Sequence, residues 1–245
     1  MAKLSSSMPA VNLPESELKF WGKNWLSDTD PDTRKKKIKN AFAPNQITPF
    51  SEIIDNAVGE SLATMLGGIN IVKPHAKSLL PPENDCVEIG HTKIVGGIRT
   101  QNFDLAYRPD GPRIVYDLKT LNDLKSVGKN WRNMINDLAT ESATVHTRFP
   151  YCIVGFIVVI PRPALSSKYE FDISSTLERL GTRKRPLDEM HLAEVVSLVI
   201  WDPATGKVDQ NIPEKDSNIR IENFSKTLYP IYLERYKGLT PHGSG

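Results

Sequence analysis

Apolar positions along the chain recur with two periods, about 3.6 and 2, and the switches between them predict the elements. Leu18, Trp21 and Trp25 recur at helical spacing behind Ser16, a residue suited to an N-cap. They predict a short helix that ends at the turn-rich Ser27-Asp28-Thr29-Asp30-Pro31, and Arg34 to Asn40 then reads as a second, basic helix. Thr48-Pro49 is a helix start, and Phe50, Ile53, Ile54, Ala57, Val58, Ser61, Leu62, Met65 and Leu66 keep the 3/4 spacing until Gly67-Gly68. That is a long core helix, with Glu52, Asp55, Gly59 and Glu60 on or beside its polar side.

From Ile69 to Lys119 the pattern turns strand-like. Segments Ile69–Val72, Cys86–Ile89, Thr92–Ile98, Gln101–Arg108 and Arg113–Lys119 are separated by Pro and Gly and predict a meander. Trp131, Met134, Ile135, Leu138, Ala139, Ser142 and Val145 predict another amphipathic helix. Tyr151 to Ile160 is apolar at both parities, which places it as a strand inside a sheet covered on both faces. Asp172 to Leu180 and Pro186 to Glu194 read as helices, Val195 to Trp201 as a strand and Phe224 to Tyr236 as a C-terminal helix. The order describes an α/β layer fold, a mixed central sheet flanked by helices, with extra N-terminal helices. Residues 1–46 are expected to form a mobile tail, Met1 to Glu15, and helices packed on the core; residues 47–240 form the main domain. The closing Gly243-Ser244-Gly245 reads as an appended remnant.

Composition narrows the choice of partners. The 245 residues carry 31 Lys and Arg against 29 Asp and Glu, a formal charge of +2, so any phosphate-binding surface is local. The longest apolar run is about half the ~20 residues of a membrane-spanning helix, and no apolar leader opens the chain. Cys86 and Cys152 are too few and too far apart for a disulfide framework or a zinc cluster, which fits a reducing cytoplasm. No P-loop, G-x-G-x-x-G, serine elbow or Cys-His signature is present, so no nucleotide cofactor is expected. The five histidines lack metal-ligand spacing, and Trp21, Trp25, Trp131 and Trp201 all sit on apolar faces.

The informative stretch runs from Phe103 to Lys119. Pro109-Asp110-Gly111-Pro112 is a turn by composition. If Arg108 and Arg113 close the hairpin, paired residues sum to 221, Asp104 lies opposite Asp117, and Lys119 shares their face. Opposed like charges in an antiparallel pair are destabilising unless neutralised, and a divalent cation would do so. Two carboxylates, water and a phosphate oxygen suit Mg²⁺, with Mn²⁺ as a substitute, while a neighbouring ammonium can offset charge on a phosphorane-like transition state. The chemistry so described is phosphodiester hydrolysis by a metal-activated water.

At these residues the chain resembles the PD-(D/E)XK nuclease superfamily, which includes many type II restriction endonucleases. Asp104 matches the first motif carboxylate and Asp117-Leu118-Lys119 the D-x-K half. Phe103 stands where the family has proline, and the literal Pro109-Asp110 pair lies in the turn, so Asp104 is preferred over Asp110. The order of elements from Thr48 to Trp201 matches the family's restriction-endonuclease-like core. The resemblance implies a Mg-dependent endodeoxyribonuclease cutting duplex DNA at a short sequence as a homodimer, of prokaryotic or phage origin. Asp104, Asp117 and Lys119 would be catalytic, and Asp104, Asp117 and the Leu118 carbonyl would hold the metal. A glutamate on the first core helix would support the site: Glu60, with Glu52 as the second choice.

Basic residues outside this motif are candidates for DNA. Lys125, Lys129 and Arg132 follow the lysine closely and suit backbone contacts; Arg183-Lys184-Arg185 precedes an expected helix and suits groove or phosphate contact. The run Arg34 to Lys39 reads either as a phosphate grip or as a solvated helix face. A structure-directed repair or recombination nuclease, or a catalytically silent DNA-binding protein, stands as the alternative.

Overall fold

The computed structural model describes residues 4–125 and 127–243. They build an α/β protein around a six-stranded mixed sheet, ordered β1 (Asn70–Val72), β2 (Cys86–Val95), β3 (Thr100–Tyr107), β4 (Ile114–Thr120), β5 (Ile153–Pro161) and β6 (Val195–Trp201). β1 runs parallel to β2, β2 to β4 form an antiparallel meander, and β4, β5 and β6 are mutually parallel. All nine residues of β5 are buried, as a strand paired on both edges and covered on both faces requires.

Helices α1 (Glu15–Leu26), α2 (Pro44–Met65), α3 (Val127–His146), α4 (Ser167–Leu180) and α5 (Ile221–Tyr236) complete the layers. The parity of the strand side chains assigns each helix its side. Phe50 of α2 stacks on Trp201 at 5.3 Å between ring centroids, and Phe224 of α5 meets the edge of Tyr116, which puts α2 and α5 on one face. α3 reaches Lys119 through Glu141, and the end of α4 reaches Val196 across Gly181, which puts those two helices on the other.

Local chemistry shifts several elements from the sequence expectation. α2 starts at Pro44 and not at Thr48, because Pro44 fits the first helical turn and Gln46 Oε1 accepts the Ala43 N–H at 2.9 Å; Pro49 lies inside the helix. Cys86–Ile89 and Thr92–Ile98 fuse into one strand with a register shift between Ile89 and Thr92, where Gly90 takes a φ of 125°. Arg34 to Asn40 is not a helix: Arg34 (φ 55°) and Asn40 (φ 59°) are left-handed, and the segment folds back with Thr29 bridged to Lys36. Pro186 to Glu194 is a set of turns, because the Asp188 carboxylate captures the N–H groups of Lys184 and Arg185 and the Arg183 guanidinium takes the Pro186 carbonyl.

Residues 4–14, expected as a tail, lie along the core. Met8 and Val11 are buried, the Ser5 N–H donates to Met65 O at 2.9 Å, and Ser225 and Tyr229 of α5 donate to Pro9 O and Ser5 O. Met1 to Lys3 of that expected tail, and Ser244 and Gly245 of the expected C-terminal remnant, lie outside the described residues.

Arg183, expected to reach DNA, is instead committed to the interior. Its guanidinium and that of Arg235 both donate to Glu194 Oε1, while Glu194 Oε2 accepts from Val154 N and faces His146 Nε2 at 3.2 Å. All four side chains are almost wholly buried. Burial raises the Glu194 carboxyl, but its bonds to His146, Arg235 and the Val154 amide outweigh that and hold it below the ordinary glutamate value. A buried ion cluster tolerates no missing partner, because the remaining charges stay desolvated. Glu194→Ala is expected to cost about 3–5 kcal/mol of unfolding free energy, measured as a shift in the urea midpoint at constant slope.

Candidate active site

The hairpin of β3 and β4 positions the candidate residues. It closes through Arg113 N–H donating to Tyr107 O at 3.0 Å. The root is clamped by Arg108, which donates Nε and a terminal nitrogen to the two Glu88 oxygens at 2.5 and 2.8 Å. Arg113 engages both oxygens of Asp110 at 2.8 and 2.6 Å, so that aspartate is occupied at the turn, far along the hairpin from Asp117. Tyr107 pairs with Ile114, Ala106 with Val115 and Leu105 with Tyr116, the register in which partners sum to 221.

One step further, Asp104 reaches Asp117's neighbourhood as the backbone ladder stops. The Asp104 carboxylate takes the place of a strand carbonyl, accepting the Leu118 N–H at 3.0 Å through Oδ2. Asp117 is buried beside it, and the Lys119 ammonium donates to the Asp117 carboxylate and to Glu141 Oε1, the latter at 2.9 Å. Gln101 Nε2 donates to the same Glu141 oxygen at 3.0 Å. Glu141 Oε2 and Asp55 Oδ1 are buried without a hydrogen-bond partner among the described residues.

Electrostatics follow from burial. Desolvation pushes the Asp117 carboxyl well up; Lys119 opposes this, and the Asp104 and Glu141 charges reinforce it. Burial also works against the charge on Lys119, yet Asp117 and Glu141 together hold the ammonium above the ordinary lysine value. On the α2 side Asp55 is pushed up to about 8, first by burial and then by the Asp104 charge, with the nearby Tyr116 hydroxyl pulling the other way. Asp117 and Glu141 thus flank the Lys119 ammonium, and Asp55 approaches Asp104 from the α2 side.

Of the acids on α2, Asp55 is the one buried near Asp104 and Tyr116. Glu60 and Glu52, the expected choices, are both exposed to solvent. Sequence reading missed Glu141 too, although it left a trace: Glu141 falls at an apolar-period position between Leu138 and Val145, where a charge must have a buried partner. Lys125, Lys129 and Arg132 are exposed on the loop after β4 and the first turns of α3, with the Arg132 guanidinium over the Trp131 ring at 4.6 Å. Lys184 and Arg185 are exposed as well, on the turn fixed by Asp188.

Oxygen donors from Asp104, Asp117 and the Leu118 carbonyl are hard ligands of the kind Mg²⁺ takes. Among the described residues, however, no group of three or more His, Cys, Asp or Glu side chains is arranged to hold a metal ion. The donor chemistry fits a cation bound by two carboxylates and a carbonyl, with the rest of its shell from outside the protein. Also among the described residues, no helix is long and apolar enough to cross a membrane.

The Asp55 carboxyl makes the stability of the metal-free protein fall as pH rises. Between about pH 4, where the unfolded carboxyl ionises, and about 8, the folded state keeps a proton that the unfolded state has lost. Asp55→Asn should remove that slope, which is at most about 1.4 kcal/mol per pH unit, so the wild type falls behind the variant progressively from pH 5 to pH 8 in chelator-treated urea titrations. Parallel pH profiles for the two proteins would show that Asp55 ionises normally.

Comparison of the chain with protein-family models, with curated proteins and with solved structures finds no match in any of the three.

Proposed function

We propose that the protein is a Mg-dependent endodeoxyribonuclease of the PD-(D/E)XK kind that cuts duplex DNA at a short specific sequence, as type II restriction endonucleases do. The observation that carries the reading is the convergence of Asp104, Asp117 and Lys119 at the diverging end of one hairpin. The order of elements adds support: α2, the β2–β4 meander, α3, then β5 parallel to β4 is the arrangement of that superfamily's core. Cutting both strands at a palindrome calls for a second copy related by a two-fold axis.

Asp104, Asp117 and the Leu118 carbonyl would hold the cation, which supplies Lewis-acid stabilisation of negative charge when bound. The residues themselves divide the remaining work. The Leu118 N–H fixes one Asp104 oxygen, and the other would serve the cation. Lys119, kept charged by two carboxylates, offsets charge that grows on the phosphoryl oxygens, and Glu141 with Gln101 holds its ammonium in place. The same ion pair favours a second reading, a catalytically silent DNA-binding protein, since Lys119 already neutralises Asp117.

Incubation with phage-sized DNA and Mg²⁺ or Mn²⁺ separates these readings: discrete fragments mean site-specific cutting, a smear means structure-directed or non-specific cutting, and intact DNA means a silent protein. Asp104→Ala and Asp117→Ala are expected to abolish cleavage, and Glu60→Gln to leave it unchanged. Lys119→Ala should lose cleavage by orders of magnitude while retaining duplex binding in Ca²⁺, because its charge acts in the transition state. Full cleavage by Asp117→Ala would overturn the assignment.

A further inference from the structure

The basic run between α1 and α2 is built as a braced arm. Asp30 is buried at its base, where Oδ1 accepts the Asp32 N–H at 3.0 Å and Oδ2 accepts from the Thr33 hydroxyl and from Asn45 Nδ2 of α2. Backbone bonds from Asp30 N to Lys35 O and from Lys37 N to Asp28 O, 2.9 and 2.8 Å, close the fold-back. Lys37 turns inward and caps the Ile38 and Ala41 carbonyls. Arg34, Lys35, Lys36 and Lys39 point the other way: they are exposed, and their side chains make no hydrogen bond or ion pair with a described residue.

The place where this arm docks is specific. Leu124 N–H donates to Asn40 O at 3.3 Å, and Trp25 Nε1 of α1 donates to Asn122 O at 2.5 Å. Residues 121–125 are the loop that leaves β4 just after Lys119 and enters α3, whose first turns expose Lys129 and Arg132. In a chain of net charge +2, four unpaired cations are therefore held beside the segment that carries the candidate lysine.

We propose that the 28–40 arm is a phosphate clamp that grips the backbone of duplex DNA outside the sheet-and-helix core, next to the phosphate that the Asp104–Asp117–Lys119 site would attack; the identity of the partner rests on the nuclease reading. Unpaired, exposed cations supply affinity by releasing counterions and carry no base information. A lipid surface is the poorer fit, because membrane-surface binding uses an amphipathic helix with an apolar face, and this arm is a fold-back with Ile38 as its lone exposed apolar side chain.

The test is duplex binding by the full chain in Ca²⁺, followed by fluorescence anisotropy from 50 to 200 mM salt, for the wild type and for R34A/K35A/K36A/K39A. Loss of four phosphate contacts should weaken binding at least tenfold at the low-salt end and reduce the slope of log K against log salt by about 3 to 4. K35R/K36R/K39R should keep both values, which assigns the effect to charge, and an unchanged thermal melt of the alanine variant shows that the fold is intact. Unchanged affinity and slope in the alanine variant, with cleavage by the wild type retained, would overturn the arm and leave the nuclease reading standing. A lost slope without cleavage by the wild type in Mg²⁺ or Mn²⁺ would do the reverse. No duplex binding by the wild type, or binding to phosphatidylserine vesicles that the alanine variant alone loses, also overturns the clamp.

Discussion

The register of the β3–β4 hairpin is the constraint on which the candidate site depends. A slip of one residue would send Asp117 and Lys119 to the α2 face and bring Tyr116 and Leu118 round to α3, because side chains alternate with a period of two. The slip is opposed from three directions. Arg113 N–H bonds to Tyr107 O at the turn, the buried Arg108–Glu88 fork ties the end of β3 to β2, and the Asp104 carboxylate bonds to the Leu118 amide at the open end. A shift of β4 against β3 breaks the first and last of these bonds, while the Arg108–Glu88 fork holds β3 itself in place on β2. The turn sequence starts the register, and two buried charges and one carboxylate lock it.

The protein buries charge in two places. Around Glu194 two guanidinium groups and an imidazole face one carboxylate, the backbone amide of Val154 takes a remaining lone pair, and Arg183 Nε and Arg235 Nε stay buried without a partner among the described residues. Such a cluster is a structural pin between the start of β5, the turns before β6 and the helix α5. Around Lys119 the carboxyl groups of Asp117 and Glu141 flank one ammonium, and nearby Asp55 Oδ1 and Glu141 Oε2 are buried without a partner among the described residues. Unsatisfied buried oxygens are costly, and strain of that kind concentrates where a protein holds groups ready for a ligand.

Elements whose residues meet the sheet were legible in the sequence. The helices α1, α2, α3, α4 and α5, the β2–β4 part of the meander, the interior strand β5 and the sum-of-221 register follow from hydrophobic period and turn composition, because one buried face imposes its period on the chain; β1, expected in the meander, instead runs parallel to β2. The coarse α/β class followed from the order of those elements. Strand pairing also brought Asp104, Asp117 and Lys119 into one neighbourhood, since residues across a hairpin are related by arithmetic once the turn is known.

The remainder was decided by contacts between distant segments, which leave no period in the sequence. Met8 and Val11 belong to the core because the ends of α2 and α5 receive them, although their local composition resembles a loose tail. Arg183 and the exposed Lys184 beside it look alike as residues, and what separates them is the buried Glu194 carboxylate waiting for one of them. Helical propensity in Arg34–Asn40 and Pro186–Glu194 yielded to Asp30 and Asp188, whose side chains capture backbone N–H groups within their own turns. On α2 and α3, rotation of each helix about its axis turned Asp55 and Glu141 inward and left Glu60 exposed. A sequence sets the stripe that faces the core to within a residue or so, but which acid at its margin meets the strand end depends on the packing angle, and only the assembled layers determine that angle.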